Sequence, residues 1–139
     1  MIVVDTNVIS ELMKSSPANS VRDWMLGQRQ TELFTTSITV AEILYGIERL
    51  DSGQRKDMLR IAATEVFTAF ENHVLPFGRE DAVAYASLVH RRDLLGLPIN
   101  GFDAQIASIC AAHHATLATR NGKDFEHSGI TLVDPWMSA

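Results

Sequence analysis

Four carboxylates stand where an apolar run meets a turn or a helix start. Asp5 closes the run Met1-Ile2-Val3-Val4, and Glu42 lies in Thr39-Val40-Ala41-Glu42-Ile43-Leu44. Asp103 stands in Asn100-Gly101-Phe102-Asp103-Ala104, and Asp124 in Thr119-Arg120-Asn121-Gly122-Lys123-Asp124-Phe125. Carboxylates are hard oxygen donors, so a set gathered at one edge of a sheet would hold a hard divalent cation such as Mg²⁺ or Mn²⁺. Two such cations roughly 3.5–4 Å apart can flank a scissile phosphate, one activating water and the other stabilising the leaving oxygen. That chemistry is phosphodiester cleavage, and it requires no histidine base.

The elements that would bring these acids together follow from hydropathy and turn chemistry. Residues 2–4 read as a short buried strand, after which Thr6 or Asn7 caps a helix running to about residue 14. A loop over 14–20 leads to a helix over 21–28 that carries Trp24 and Met25. Residues 33–36 form a second strand, and Val40, Ile43, Leu44 and Ile47 recur at helical spacing within 38–50. Asp51-Ser52-Gly53 breaks that helix, and a second one to about residue 70 completes a helical hairpin. Residues 74–77 make a third strand, which Pro76 places at an end or an edge. Helices over 81–95 and 103–114 follow, then strands over 115–119 and 130–133. Short apolar strands alternating with helices give an α/β fold in which a central, mainly parallel sheet is covered on both faces. In such sheets ligands bind outside the carboxyl ends of the strands. Asp5 and Asp124 follow strands, and Glu42 and Asp103 are read here as lying in the first turns of helices, so all four can converge on that edge.

Composition bounds the rest. The 139 residues, 46% of them hydrophobic, predict one globular domain over 1–139 that buries roughly two thirds of its unfolded surface. No signal peptide and no span of ~20 apolar residues is apparent, and the lone Cys110 suits a reducing compartment. The expectation is a cytoplasmic protein without a membrane segment. A net charge of -5 argues against a broad basic surface for nucleic acid. Two divalent cations would cancel most of it and turn the local field toward phosphate.

Each acid also has a purely structural reading. Asp5 and Asp124 suit helix caps, Glu42 completes Thr-x-x-Glu with Thr39, and Asp103 stands three residues after Asn100. Arg120 could reach a phosphate or simply face solvent. Arg91 and Arg92 read as a solvated helix end before they read as RNA contacts. Cys110 and His113 have no second pair to complete a zinc site, so Cys110 is read as core. Trp24, Met25 and Trp136 are read as core or dimer contacts.

Taken in order, Asp5-Thr6-Asn7, Val40-Ala41-Glu42-Ile43, Phe102-Asp103-Ala104-Gln105-Ile106-Ala107 and Thr119-Arg120-Asn121-x-x-Asp124-Phe125 resemble the PIN domain. More narrowly they resemble the VapC and FitB type of toxin ribonuclease from bacterial toxin–antitoxin pairs, over essentially the whole chain. The resemblance implies a three-layer α/β/α fold and Mg²⁺- or Mn²⁺-dependent endoribonuclease activity on RNA. It also implies a cognate antitoxin and a homodimer. Asp5, Glu42, Asp103 and Asp124 would be the catalytic and metal-binding tetrad. Thr6 and Asn7 would orient the first carboxylate, Asn121 would support the last, and Arg120 is a candidate RNA contact. An aspartyl phosphatase fits poorly, because the second aspartate of its Asp-x-Asp is Asn7 here. A non-catalytic RNA- or protein-binding PIN module and a PIN nuclease of RNA maturation remain as alternatives.

Overall fold

A computed structural model describes residues 1–137. Among the described residues, five strands form one parallel sheet: β1 (Ile2–Val4), β2 (Leu33–Thr36), β3 (Val74–Leu75), β4 (Thr116–Ala118) and β5 (Thr131–Val133), in the order β3-β2-β1-β4-β5. The helices are α1 (Thr6–Leu12), α2 (Asn19–Leu26), α3 (Ser37–Glu48), α4 (Gln54–Ala69), α5 (Arg79–Leu94) and α6 (Gly101–His113).

Strands of two to four residues suffice because both faces are covered by helices. Side chains alternate across a strand, so neighbouring residues enter different cores. Val4 and Ala118 join Val8 and Ile9 of α1, Val21 of α2, Ile43 and Ile47 of α3, and Ala63 of α4. Val3 and Leu117 join Leu88 of α5 and Ile106, Ala107 and Cys110 of α6. The result is the expected three-layer α/β/α arrangement. Strand order explains the partition: the chain steps outward from β1 to β3, then returns to β4 on the far side of β1. Right-handed crossovers put helices on opposite faces when the direction of travel reverses.

Local chemistry moves several boundaries. The cap of α1 is Asp5, whose carboxylate accepts from the Thr6 amide; Thr6 is already helical. β3 stops at Leu75, since Pro76 has no N–H to donate. Helix α5 begins at Arg79, with the Gly78 amide donating to Asp81 Oδ2 at 2.7 Å. The Thr39–Glu42 capping box does not form: Thr36 caps α3 and accepts from the Thr39 amide, which moves Glu42 from the first turn to the second.

Arg92 is the clearest departure, for it is not solvated. Only 5% exposed, it donates Nε to Leu97 O at 2.7 Å and Nη1 to the carbonyls of Asp124 (3.1 Å) and Glu126. Arg91 likewise donates to Ser128 O at 3.1 Å. Five N–H donors in a fixed fork can satisfy several loop carbonyls at once, so α5 holds the segment that carries Asp124. Arg92→Met should therefore destabilise the fold by about 1–3 kcal/mol for each carbonyl left unpaired and dry. Urea unfolding checks this, and an unchanged midpoint would mean that water replaces the guanidinium.

Candidate active site

The sheet reverses its winding between β1 and β4, and this is where an open α/β sheet has a crevice at its carboxyl edge. Asp5 is the first residue past β1, and its amide donates to Ala118 O of β4 at 2.9 Å. The side chain is therefore fixed between two strands before any side-chain contact is made. It is 4% exposed. Oδ1 accepts from the Thr6 amide at 2.8 Å, and Oδ2 accepts from Thr119 Oγ1 at 2.8 Å, with Asn7 Nδ2 more distant at 3.5 Å.

Thr119, which the sequence did not single out, organises this corner. Its hydroxyl donates to Asp5 and accepts from Asn7 Nδ2 and the Asn121 amide, both at 3.1 Å. One donor and two lone pairs are thus all in use. Asn7 Oδ1 also accepts from the Arg120 amide at 3.2 Å, tying the start of α1 to the turn after β4.

Glu42 is reached through hydroxyls. Thr6 Oγ1 donates to Glu42 Oε1 at 3.0 Å, so the Thr39 hydroxyl, 3.1 Å from Thr6 Oγ1, must donate to Thr6. Thr36 Oγ1 lies 3.4 Å behind Thr39. On the remaining side, Asn100 caps α6 and pairs reciprocally with Asp103. Its Oδ1 accepts from the Asp103 amide at 2.8 Å, and its Nδ2 donates to Asp103 Oδ2 at 2.7 Å. The bland and the chemical readings of Asp103 are compatible, because a capped helix start is also a rigid support.

Asp5, Glu42 and Asp103 line one cleft of about 400 Å³, together with Thr6, Asn7, Arg120 and Asn121. Asp124 is exposed in the 3₁₀ turn Gly122–Phe125 and stands outside that lining. Its amide donates to Asn121 O at 2.9 Å, so Asn121 supports it through the backbone. A larger cavity of about 1160 Å³, between the segment after α1 and helix α4, contains none of the four acids.

Lys14 and Arg120 also line the cleft, but Lys14 pairs with Glu11 and not with the four acids. Among the described residues no salt bridge reaches any of the four acids; neutral hydroxyls and amides position them. Burial pushes the Asp5, Glu42 and Asp103 carboxyls above their ordinary range. Their mutual repulsion adds to this, with Asp103 and Asp124 acting on Asp5, Asp5 and Asp103 on Glu42, and Asp124 on Asp103. No three His, Cys, Asp or Glu side chains among the described residues already close on one point. An oxygen-only set of this kind still fits Mg²⁺ or Mn²⁺, since Mg²⁺ needs only one or two carboxylates and keeps several waters.

These shifts fix a sign. A carboxyl raised in the folded state contributes stability below its unfolded value and loses it as pH rises through its folded value. At neutral pH, Glu42→Gln should therefore raise the melting temperature of the metal-free protein while keeping an acceptor for Thr6. The gain should vanish below the ordinary glutamate value of 4.5, where both forms are neutral. Calorimetry across pH checks this; a lower melting temperature at neutral pH would show that the charge is compensated.

Known proteins resemble this chain over its whole length. Over 140 residues the chain is 36% identical to the VapC ribonuclease Y4jK of Sinorhizobium fredii, covering 100% of both. It is 31% identical to the toxin FitB of Neisseria gonorrhoeae, over 98% of this chain and 99% of that one. A chain in the solved structure of FitAB bound to the IR36 DNA fragment superposes with a TM-score of 0.91 at 30% identity, covering 100% of this chain and 98% of its own. The family model described as PIN domain matches residues 2–129, and the chain belongs to the PIN-domain family.

Proposed function

We propose that this protein is a cytoplasmic, Mg²⁺- or Mn²⁺-dependent endoribonuclease and the toxin of a toxin–antitoxin pair. The observation that carries the reading is three carboxylates, from the end of β1, from α3 and from the start of α6, lining one cleft with none of them held in a salt bridge among the described residues. The relatives named a ribonuclease and a toxin support the same reading.

Asp5, Glu42 and Asp103 would hold the metal, with Asp124 acting from the rim. Bound there, the metal would supply Lewis acidity for the phosphate and a more acidic water. The chain's own part is preorganisation. Thr119 and Asn7 fix the Asp5 carboxylate, Thr6 fixes Glu42, and Asn100 fixes Asp103, so little reorganisation accompanies reaction. No histidine lines the cleft among the described residues, so the carboxylates are the groups there that would hold a metal and the water it would make more acidic.

The partner follows from the same charges. A protein that inhibits this site can insert an arginine, whose planar fork pairs with clustered carboxylates. FitAB is bound to a DNA fragment in its solved structure, and an antitoxin that also binds DNA is proposed for this chain. One observation favours the rival reading, a binding module without turnover: the acids do not close on one point. Turnover separates the two.

Purified protein should cleave RNA only with Mg²⁺ or Mn²⁺, and Asp103→Asn should lower the rate at least about a hundredfold with an unchanged circular dichroism spectrum. Mn²⁺ should raise the melting temperature of the wild type more than that of the variant, because a cation bound only to the folded cluster stabilises it by mass action. Full activity in the variant would remove Asp103 from the site.

Expressed alone, the wild type should arrest bacterial growth, whereas Glu42→Gln should be tolerated and still bind the antitoxin. Equal arrest by both would place toxicity elsewhere and advance the binding reading.

A further inference from the structure

The acidic cleft has a second chemical character that metal binding does not use. Lys14, Arg120 and Trp136 line it alongside the carboxylates. Arg120 Cζ lies 4.8 Å from the centroid of the Trp136 ring. Its backbone is fixed by the bond to Asn7 Oδ1, one of the contacts that also organise Asp5. Among the described residues its guanidinium donates no hydrogen bond, so its N–H groups stay free beside the indole. Lys14 is likewise placed: Nζ is 2.9 Å from Glu11 Oε1, while Glu11 Oε2 accepts from the Ala18 amide at 3.0 Å. Glu11 is therefore committed to Lys14 and the loop backbone.

A strand of RNA entering this cleft presents one phosphate to the metal. The phosphates on either side of it meet carboxylates unless the protein offers cations there, and Lys14 and Arg120 are the two basic side chains of the lining. A guanidinium with free N–H groups matches phosphate oxygens in a two-toothed fashion. An arginine serving only solubility would have no need of an aromatic platform.

We propose that Arg120, stacked on Trp136 and assisted by Lys14, forms a subsite for the RNA phosphate adjacent to the one that is cut. This rests on the ribonuclease reading and adds how the strand is held. Arg120 touches the substrate; Trp136 is a positioning residue that acts through Arg120.

The test is cleavage of a fluorescently labelled single-stranded RNA across a KCl series, with kcat and KM determined for each protein. Arg120→Ala should raise KM about tenfold with a much smaller change in kcat, since a contact made equally in ground and transition states appears in KM. Its plot of log kcat/KM against log salt should be shallower by about 0.7, the share of one phosphate contact on a single strand. Arg120→Lys should keep the slope but not the full affinity, because it keeps the charge and loses the fork. Trp136→Phe should behave nearly as wild type, whereas Trp136→Leu should raise KM. Trp136→Leu should add nothing further when combined with Arg120→Ala, which a general loss of packing could not produce. A wild-type salt slope and KM in Arg120→Ala overturns the subsite while leaving the ribonuclease reading standing. A wild-type protein that cleaves no RNA with either metal fails at the earlier step and overturns both.

Discussion

Asp5 is held where the pairing of β1 with β4 ends, its amide bonded to Ala118 O and its carboxylate almost wholly removed from water. Desolvation of that charge is the cost around which the rest of the site is arranged. An arginine partner would have removed the difficulty, and with it any affinity for a cation. The Thr6 amide and the Thr119 hydroxyl favour the charged form without neutralising it. Burial and the neighbouring acids still prevail, so the carboxyl stays above its ordinary range.

The fold makes this placement available. Only a strand order that turns back on itself sets the ends of β1 and β4 side by side at the carboxyl edge, with no helix crossing between them. The same reversal puts α3 on one face and α6 on the other, so Glu42 and Asp103 approach the crevice from opposite layers. Hydroxyls and amides then set the rotamers. Three threonines, an asparagine on α1 and an asparagine cap on α6 each spend their hydrogen bonds on a carboxylate or on a group that holds one. Arg92, whose charge reaches Asp103, is itself occupied by loop carbonyls.

Much of this was legible along the chain. Hydropathy and turn residues located every strand and α-helix among the described residues, because short apolar runs bounded by Gly, Pro and Asn have few other solutions. The errors fall at caps and at polar residues. Thr39 looked like a cap because Thr-x-x-Glu is locally sufficient, but the helix begins earlier, where Thr36 ends β2. Arg92 looked solvated because it is charged and near a helix end, and its burial depends on a loop more than thirty residues later. Thr119 carried no signal beyond preceding Arg120 and Asn121, and Trp136 gave no hint that it would face the cleft.

By itself, then, the sequence determined the alternation of buried strands and amphipathic helices and the order of the four acids, since these depend on hydrophobic periodicity and residue type. Tertiary structure alone decided that Asp5, Glu42 and Asp103 share a cleft while Asp124 stands exposed outside its lining, and that Arg120 lies over Trp136 there. Which polar groups meet is set by strand order and by the packing of two layers against one sheet. Such contacts span up to 114 positions of the chain, and no local pattern encodes them.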